Sequence, residues 1–280
     1  MIRVYIEGVG LYGPGLDGWV ESVPVLLGRR EYVATPVRLQ PAPLLPANER
    51  RRAVETVRLA LAVGADAFAA SGRDPAATAT VFASSGGDGE TIHHILSVLA
   101  SSNRELSPTR FHNSVHNAPA GYWGIATGSR AASSSLCCHD DSFAAGLLEA
   151  AVQASSGWQP VLLIAYDVQY PAPLSQVRPI GASFAVGLLL VPEPSGAAFV
   201  RLDLDLLPGS QASDFDLPGL EDLRRNTPAA RSLPLLVALA KNEAASFSLN
   251  YLDDIVLKLS TIPVPNGAPA TAGAFGSKAS

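Results

Sequence analysis

Two stretches constrain the fold most. Pro160 to Tyr166 (PVLLIAY) and Ser183 to Val191 (SFAVGLLLV) are apolar along nearly their whole length. A strand with no polar side has to be covered on both faces, so both predict strands inside a sheet flanked by helices. Thr78 to Ala83 is a further short buried strand, and Ile2, Val4, Ile6 and Val9 form an opening one that leads into a glycine-rich turn over Gly10 to Gly18. Asn48 is placed to cap a helix in which Val54, Val57, Leu61 and Ala65 keep helical spacing until Gly72 ends it. A second helix runs from Thr91 to Ala100. Strands and helices thus alternate, which predicts the α/β class with a covered mixed sheet containing parallel pairs.

Between these elements, Pro24, Pro36, Pro41, Pro43 and Pro46 predict an irregular surface crossing without a regular element of its own. After Phe199, Val200, Leu202, Leu204 and Leu206 alternate as a strand. A polar loop to Gly219 leads to a helix near Ala229 to Ala240, and two closing strands are expected at Phe247 to Tyr251 and Ile255 to Leu259. The stretch from Pro263 to Ser280 is rich in Pro, Gly, Ala and Ser and is expected to be a disordered tail, leaving residues 1–262 as one domain.

At 280 residues and 48% apolar, the chain can bury one sizeable core. Its net charge of -5 is mild and its cations are scattered, which argues against nucleic acid as a partner. No apolar run reaches the roughly 18 residues of a membrane span. The opening MIRVYIEGVG lacks the regions of a signal peptide, so the cytoplasm is the expected location. The two cysteines are adjacent, which suits a reduced compartment.

Most of the unusual chemistry lies between Ser107 and Ala151. Gly121, Gly124 and Gly128 predict a helix packed closely against another backbone. Ala131 to Leu136 follows as a small, extended, buried strand, and Cys137, Cys138, His139, Asp140 and Asp141 occupy a sharp turn. Asp141 or Ser142 then caps a helix from Phe143 to Ser155. A nucleophile between a buried strand and a helix N-terminus would meet N–H groups and a dipole that favour a thiolate or an oxyanion. Against this, two carboxylates so close would raise a thiol's pKa.

Other motifs carry less. The loop Ser84 to Glu90 (SSGGDGE) has neither the lysine of a phosphate-binding loop nor the spacing of a dinucleotide turn, and predicts a tight turn before a helix. His112 and His116 are four apart, the spacing of a zinc pair on a helix. However, the intervening Glu of an HExxH motif is missing and Cys137-Cys138-His139 lacks CxxC spacing, so no metal and no cofactor are expected.

Ser107-Pro108, Phe111, Asn117, Ala120-Gly121, Ile125, Gly128 and the step back from Gly146 to Cys138 together carry a family likeness. Here the chain resembles the β-ketoacyl synthases of the thiolase superfamily, specifically over Ser107 to Ala151 and more weakly from Met1 to Pro192. Among these it is similar to the short, truncated chain-length factors of aryl-polyene-type pathways. The resemblance implies a thiolase-like N-terminal half, with a mixed, mainly parallel, five-stranded sheet covered by helices and a short C-terminal extension. It places Cys138 at the catalytic cysteine's position.

The family takes its two histidines and a supporting lysine from its second half. Here His93, His94, His112, His116 and His139 all precede residue 140. Cys138 is therefore a degenerate nucleophile position, and no catalytic residue is assigned. The resemblance implies a non-catalytic subunit that pairs with a full-length β-ketoacyl synthase, stabilises it and shapes its acyl pocket, meeting acyl carrier protein only indirectly. The strand Ala131, Ala132, Ser133, Ser134, Ser135 and Leu136 would cross that interface, and Phe111, His112, Ser114 and Val115 would line the pocket. Two alternatives stand beside it: an acyltransferase or thioesterase using Cys138, and a homodimeric scaffold that binds acyl carrier protein.

Overall fold

The computed structural model describes residues 1–39, 42–69, 71–209 and 211–265. The chain opens with β1 (Ile2–Gly13), the two-residue β2 (Leu16–Asp17), α1 (Trp19–Leu26), α2 (Ala47–Arg52) and α3 (Glu55–Phe68). Next come β3 (Ala79–Ala83), α4 (Gly89–Ala100), α5 (Pro108–Asn113), α6 (Ala118–Thr127), β4 (Ser133–Leu136) and α7 (Ser142–Gly157). Then β5 (Val161–Asp167), α8 (Leu174–Val177), β6 (Phe184–Val191), β7 (Val200–Pro208), α9 (Pro218–Asn226), α10 (Leu233–Lys241), β8 (Ala245–Asn250) and β9 (Ile255–Pro263) complete it.

The described strands form one nine-stranded sheet in the order β4-β3-β5-β6-β1-β7-β9-β8, with β2 turned back on β1. This corrects the expectation of five mainly parallel strands. Only β3 with β4 and β3 with β5 are parallel, and the other six pairings are antiparallel. The reason lies in the connections. A parallel return needs a helix long enough to cross the sheet, and between β5 and β6 stands only the four-residue α8. β6 therefore comes back antiparallel, and a short turn joins β8 to β9 in the same sense.

The two apolar runs do what their composition demands. Along β3, β5 and β6 successive residues alternate between two cores: Val81, Leu163 and Leu188 join the one under α7, while Phe82, Leu162 and Leu189 join the one under α3 and α6. α3 lies directly on the sheet: a Cβ at Gly10 would fall on the Val63 carbonyl oxygen, so only glycine lets the two backbones approach. Glu7, 2% exposed in β1, accepts from the Arg73 guanidinium and, at 2.5 Å, from Ser195 Oγ, tying β1 to two loops.

Several boundaries differ from the sequence reading. The helix expected to run from Asn48 to Gly72 is two, broken where Ala53 and Val54 are extended. α2 buries nothing, and apolar periodicity begins only with α3. The proline-rich crossing contains α1, which holds Pro24 in its interior. α5 and α9 were not anticipated; each is a short helix of nine residues or fewer. β9 extends through Pro263, one residue past the expected domain end. The expected tail lies, from residue 266 on, outside the described residues.

Candidate functional site

β4 is an edge strand, and its exposure corrects the buried strand expected there: Ser133 and Ser135 are exposed, Ser134 and Leu136 half-buried. Ala131 and Ala132 lie just before it. The Thr80 and Ser84 N–H groups donate to the Ala132 and Leu136 carbonyls. Because backbone groups alternate along a strand, those of Ser133 and Ser135 point away from β3 to an open edge. Their side chains face α6, and together with His116, Asn117, Ala120 and Gly121 they line an open groove of about 530 Å3. Ser134, on the other side, accepts from Gln153 Nε2 of α7 at 3.1 Å.

The helices beside this edge are unusually apolar on their outer faces. Leu96 of α4, Phe111 of α5, Val115, and Ile125 of α6 are 48–64% exposed. His112 is exposed, with its ring edge-on to Tyr122. Ser114 closes α5 by donating to the Phe111 carbonyl at 2.8 Å. The glycine spacing finds no close packing among the described residues: a Cβ at Gly121 would meet nothing within 4 Å, one at Gly124 only the Ser129 carbonyl oxygen at 3.4 Å, and Gly128 ends α6 in the left-handed region at φ 71°. The histidine pair does not share a helical face either. α5 stops at Asn113, and His116 turns to the Ser84 carbonyl at 3.2 Å. Among the described residues no three potential ligands gather around a point.

The turn after β4 is built on charge. Cys138 is half-buried, its N–H donating to Ser142 Oγ at 3.0 Å. One turn of 3-10 helix, His139–Asp141, separates it from α7. Burial, then Cys137 and Asp141, push its thiol up. Cys137 is exposed and donates to the Ser85 carbonyl at 3.2 Å. At the head of α7, where an oxyanion would be received, stand Asp140 and Asp141. Arg231 reaches both, at 3.2 and 2.8 Å, and Arg178 lies 2.6 Å from Asp140. Burial alone would raise the Asp140 carboxyl, yet the arginines hold it below the usual range. The acidic pair is thus neutralised by distant arginines, which spacing did not reveal. An adjacent Asp-Asp beside a helix start was the only signal that such partners were needed.

Beneath this turn, Asp167 is 2% exposed. It accepts from Ser85 N–H (2.9 Å) and Ser85 Oγ (2.6 Å) through one oxygen, and from Ala229 N–H (2.8 Å) through the other. Burial outweighs these bonds and pushes its carboxyl up to about 6. The loop Ser84 to Glu90 is the expected tight turn into a helix. Asp88 caps α4 through Thr91 N–H at 3.0 Å, and a Cβ would strike the Tyr170 hydroxyl at Gly86 and the Tyr170 ring at Gly89.

The family model described as "Beta-ketoacyl synthase, N-terminal domain" matches residues 28–251. No curated protein matches the chain in sequence. Among solved structures it is similar to "Ketosynthase (ApeO) in Complex with its Chain Length Factor (ApeC) from Xenorhabdus doucetiae", with TM-score 0.71 and 24% identity over 93% of this chain and 100% of that one. It is similar also to "The ishigamide ketosynthase/chain length factor", at TM-score 0.71 and 12% identity over 94% and 100%. A β-ketoacyl synthase from Burkholderia phymatum gives TM-score 0.66 and 13% identity over 94% and 100%. Such likenesses speak for a thiolase-like α/β fold.

Proposed function

Because the chain belongs to the β-ketoacyl synthase N-terminal domain family, we propose that it is a non-catalytic, chain-length-factor-like subunit. It pairs with a full-length β-ketoacyl synthase, stabilises it and contributes to its acyl pocket, in fatty acid or polyketide synthesis of the aryl-polyene type. The observation that carries this is the open edge of β4, its Ser133 and Ser135 backbone groups unpaired within the described residues and flanked by exposed Phe111, Val115 and Ile125. An edge of this kind invites a second strand, and apolar side chains beside it supply the area that a stable interface buries. Relatives described as complexes of a ketosynthase with its chain length factor support the choice of partner.

The assignment as non-catalytic rests on the turn. A thiol needs an activating base and a site for developing negative charge. Here the thiol is pushed up and two carboxylates occupy the helix head. Acyl carrier protein would reach this subunit only through the synthase it accompanies.

Co-expression with a full-length β-ketoacyl synthase tests the reading. A complex should co-purify, and the synthase should lose solubility or activity when this chain is omitted. A synthase unaffected by the omission sinks the proposal. Acylation of the purified chain by an acyl-thioester probe, abolished in Cys138→Ala, would assign catalysis to this chain instead. Phe111→Ala or Val115→Phe should shift product length, and unchanged products would remove the pocket role.

A further inference from the structure

A second hollow lies apart from the β4 edge. Between α3 and α6 is a cavity of about 490 Å3, walled by Leu61, Phe68 and Trp123 and closed on one side by Pro43 and Leu44. Its shape follows from α3: Arg58, Ala62, Ala65 and Ala69 recur at intervals of four, three and four, one helical face whose small side chains leave the space unfilled. Trp123, Ala126 and Thr127 close it from α6, and none of them lines the groove at the β4 edge.

Its two charges are in different situations. Asp66 is already occupied, accepting from Trp19 N–H at 2.9 Å and Leu11 N–H at 3.3 Å. The Arg58 side chain makes no ion pair or hydrogen bond among the described residues, and its Nε is shielded from solvent without an acceptor there, as is Trp123 Nε1. Buried donors without acceptors are rare. Eight residues of helix separate the two charges by about 12 Å, so a ligand held by Arg58 can extend along α3 before meeting the carboxylate.

We propose that this cavity binds a medium-chain carboxylate, the carboxylate on the Arg58 guanidinium and the alkyl chain along Ala62 and Ala65 against Trp123. Apolar walls with one convergent cation are what an amphipathic acid requires. The site is independent of the pairing role, since it shares none of the groove's lining residues.

Octanoate and 1-octanol, titrated into the full chain and followed by calorimetry and tryptophan fluorescence, test it. Octanoate should bind at one site per chain, at least tenfold more tightly than 1-octanol. Arg58→Ala should cost at least tenfold, and Ala65→Phe should abolish binding. Equal affinity for acid and alcohol, absence of saturation, or unchanged binding in either variant would each overturn the proposal. The acid-to-alcohol comparison decides it even if a variant fails to fold.

Discussion

The buried carboxylate of Asp167 shows how one residue can link the loop after β3 to the C-terminal third. Its folded pKa, about 6, lies above the ordinary carboxylate value, so its contribution to stability is complete at low pH and is lost as pH rises through about 6, by an order of 2–3 kcal/mol. Asp167→Asn cannot titrate and turns an amide donor on Ala229 N–H or Ser85. It should therefore destabilise, with a penalty that shrinks between pH 4 and pH 7. Urea titrations across that range check this, and a penalty independent of pH would refute it. Glu7 tests the opposite situation, a buried charge that is well paired. Glu7→Gln leaves Arg73 without its bidentate partner and should cost about 3 kcal/mol in the same measurement. Arg231→Ala should cost only about 1 kcal/mol, because Asp140 and Asp141 are partly exposed.

Strand β4 carries the functional reading, and its alternation makes that reading testable residue by residue. A proline at Ser135 removes an N–H that faces the open edge, which edge strands tolerate, so Ser135→Pro should change stability by about 1 kcal/mol or less. A proline at Ser134 removes an N–H directed at β3 and should cost about 3 kcal/mol. If the edge is the pairing surface, Ser135→Pro folds but no longer retains the synthase on co-purification. Retention equal to that of the unsubstituted chain would move the interface elsewhere. α7 is the neighbouring element, and charge gathers at its head. Asp141 stands at its N-cap position but, against expectation, makes no side-chain cap bond, its carboxylate held instead by Arg231, while Arg178 and Arg231 hold Asp140.

At the scale of the whole molecule, much of the fold was legible because strands and helices leave different periods. The apolar runs of β5 and β6 and the stripe of α3 are local facts of the chain. β4 was legible from its small residues, though its exposure was not, and Phe111, Val115 and the serines were singled out only by their place in a family pattern. Arg178 and Arg231 were not found, because partners 38 and 90 residues away leave no spacing to read, and Glu7 with Arg73 was hidden for the same reason. The cavity under α3 was equally invisible: alanines at helical spacing read as packing until the opposing surface is known.

By itself, the order of residues determined which segments must be covered and that no histidine follows residue 139. Whether β6 returned parallel or antiparallel, which strand was left at the edge, and which charges met at the turn were decided only by the tertiary structure. The physical reason is range: periodicity and capping act over a few residues, whereas strand pairing and ion pairing depend on groups brought together from across the chain.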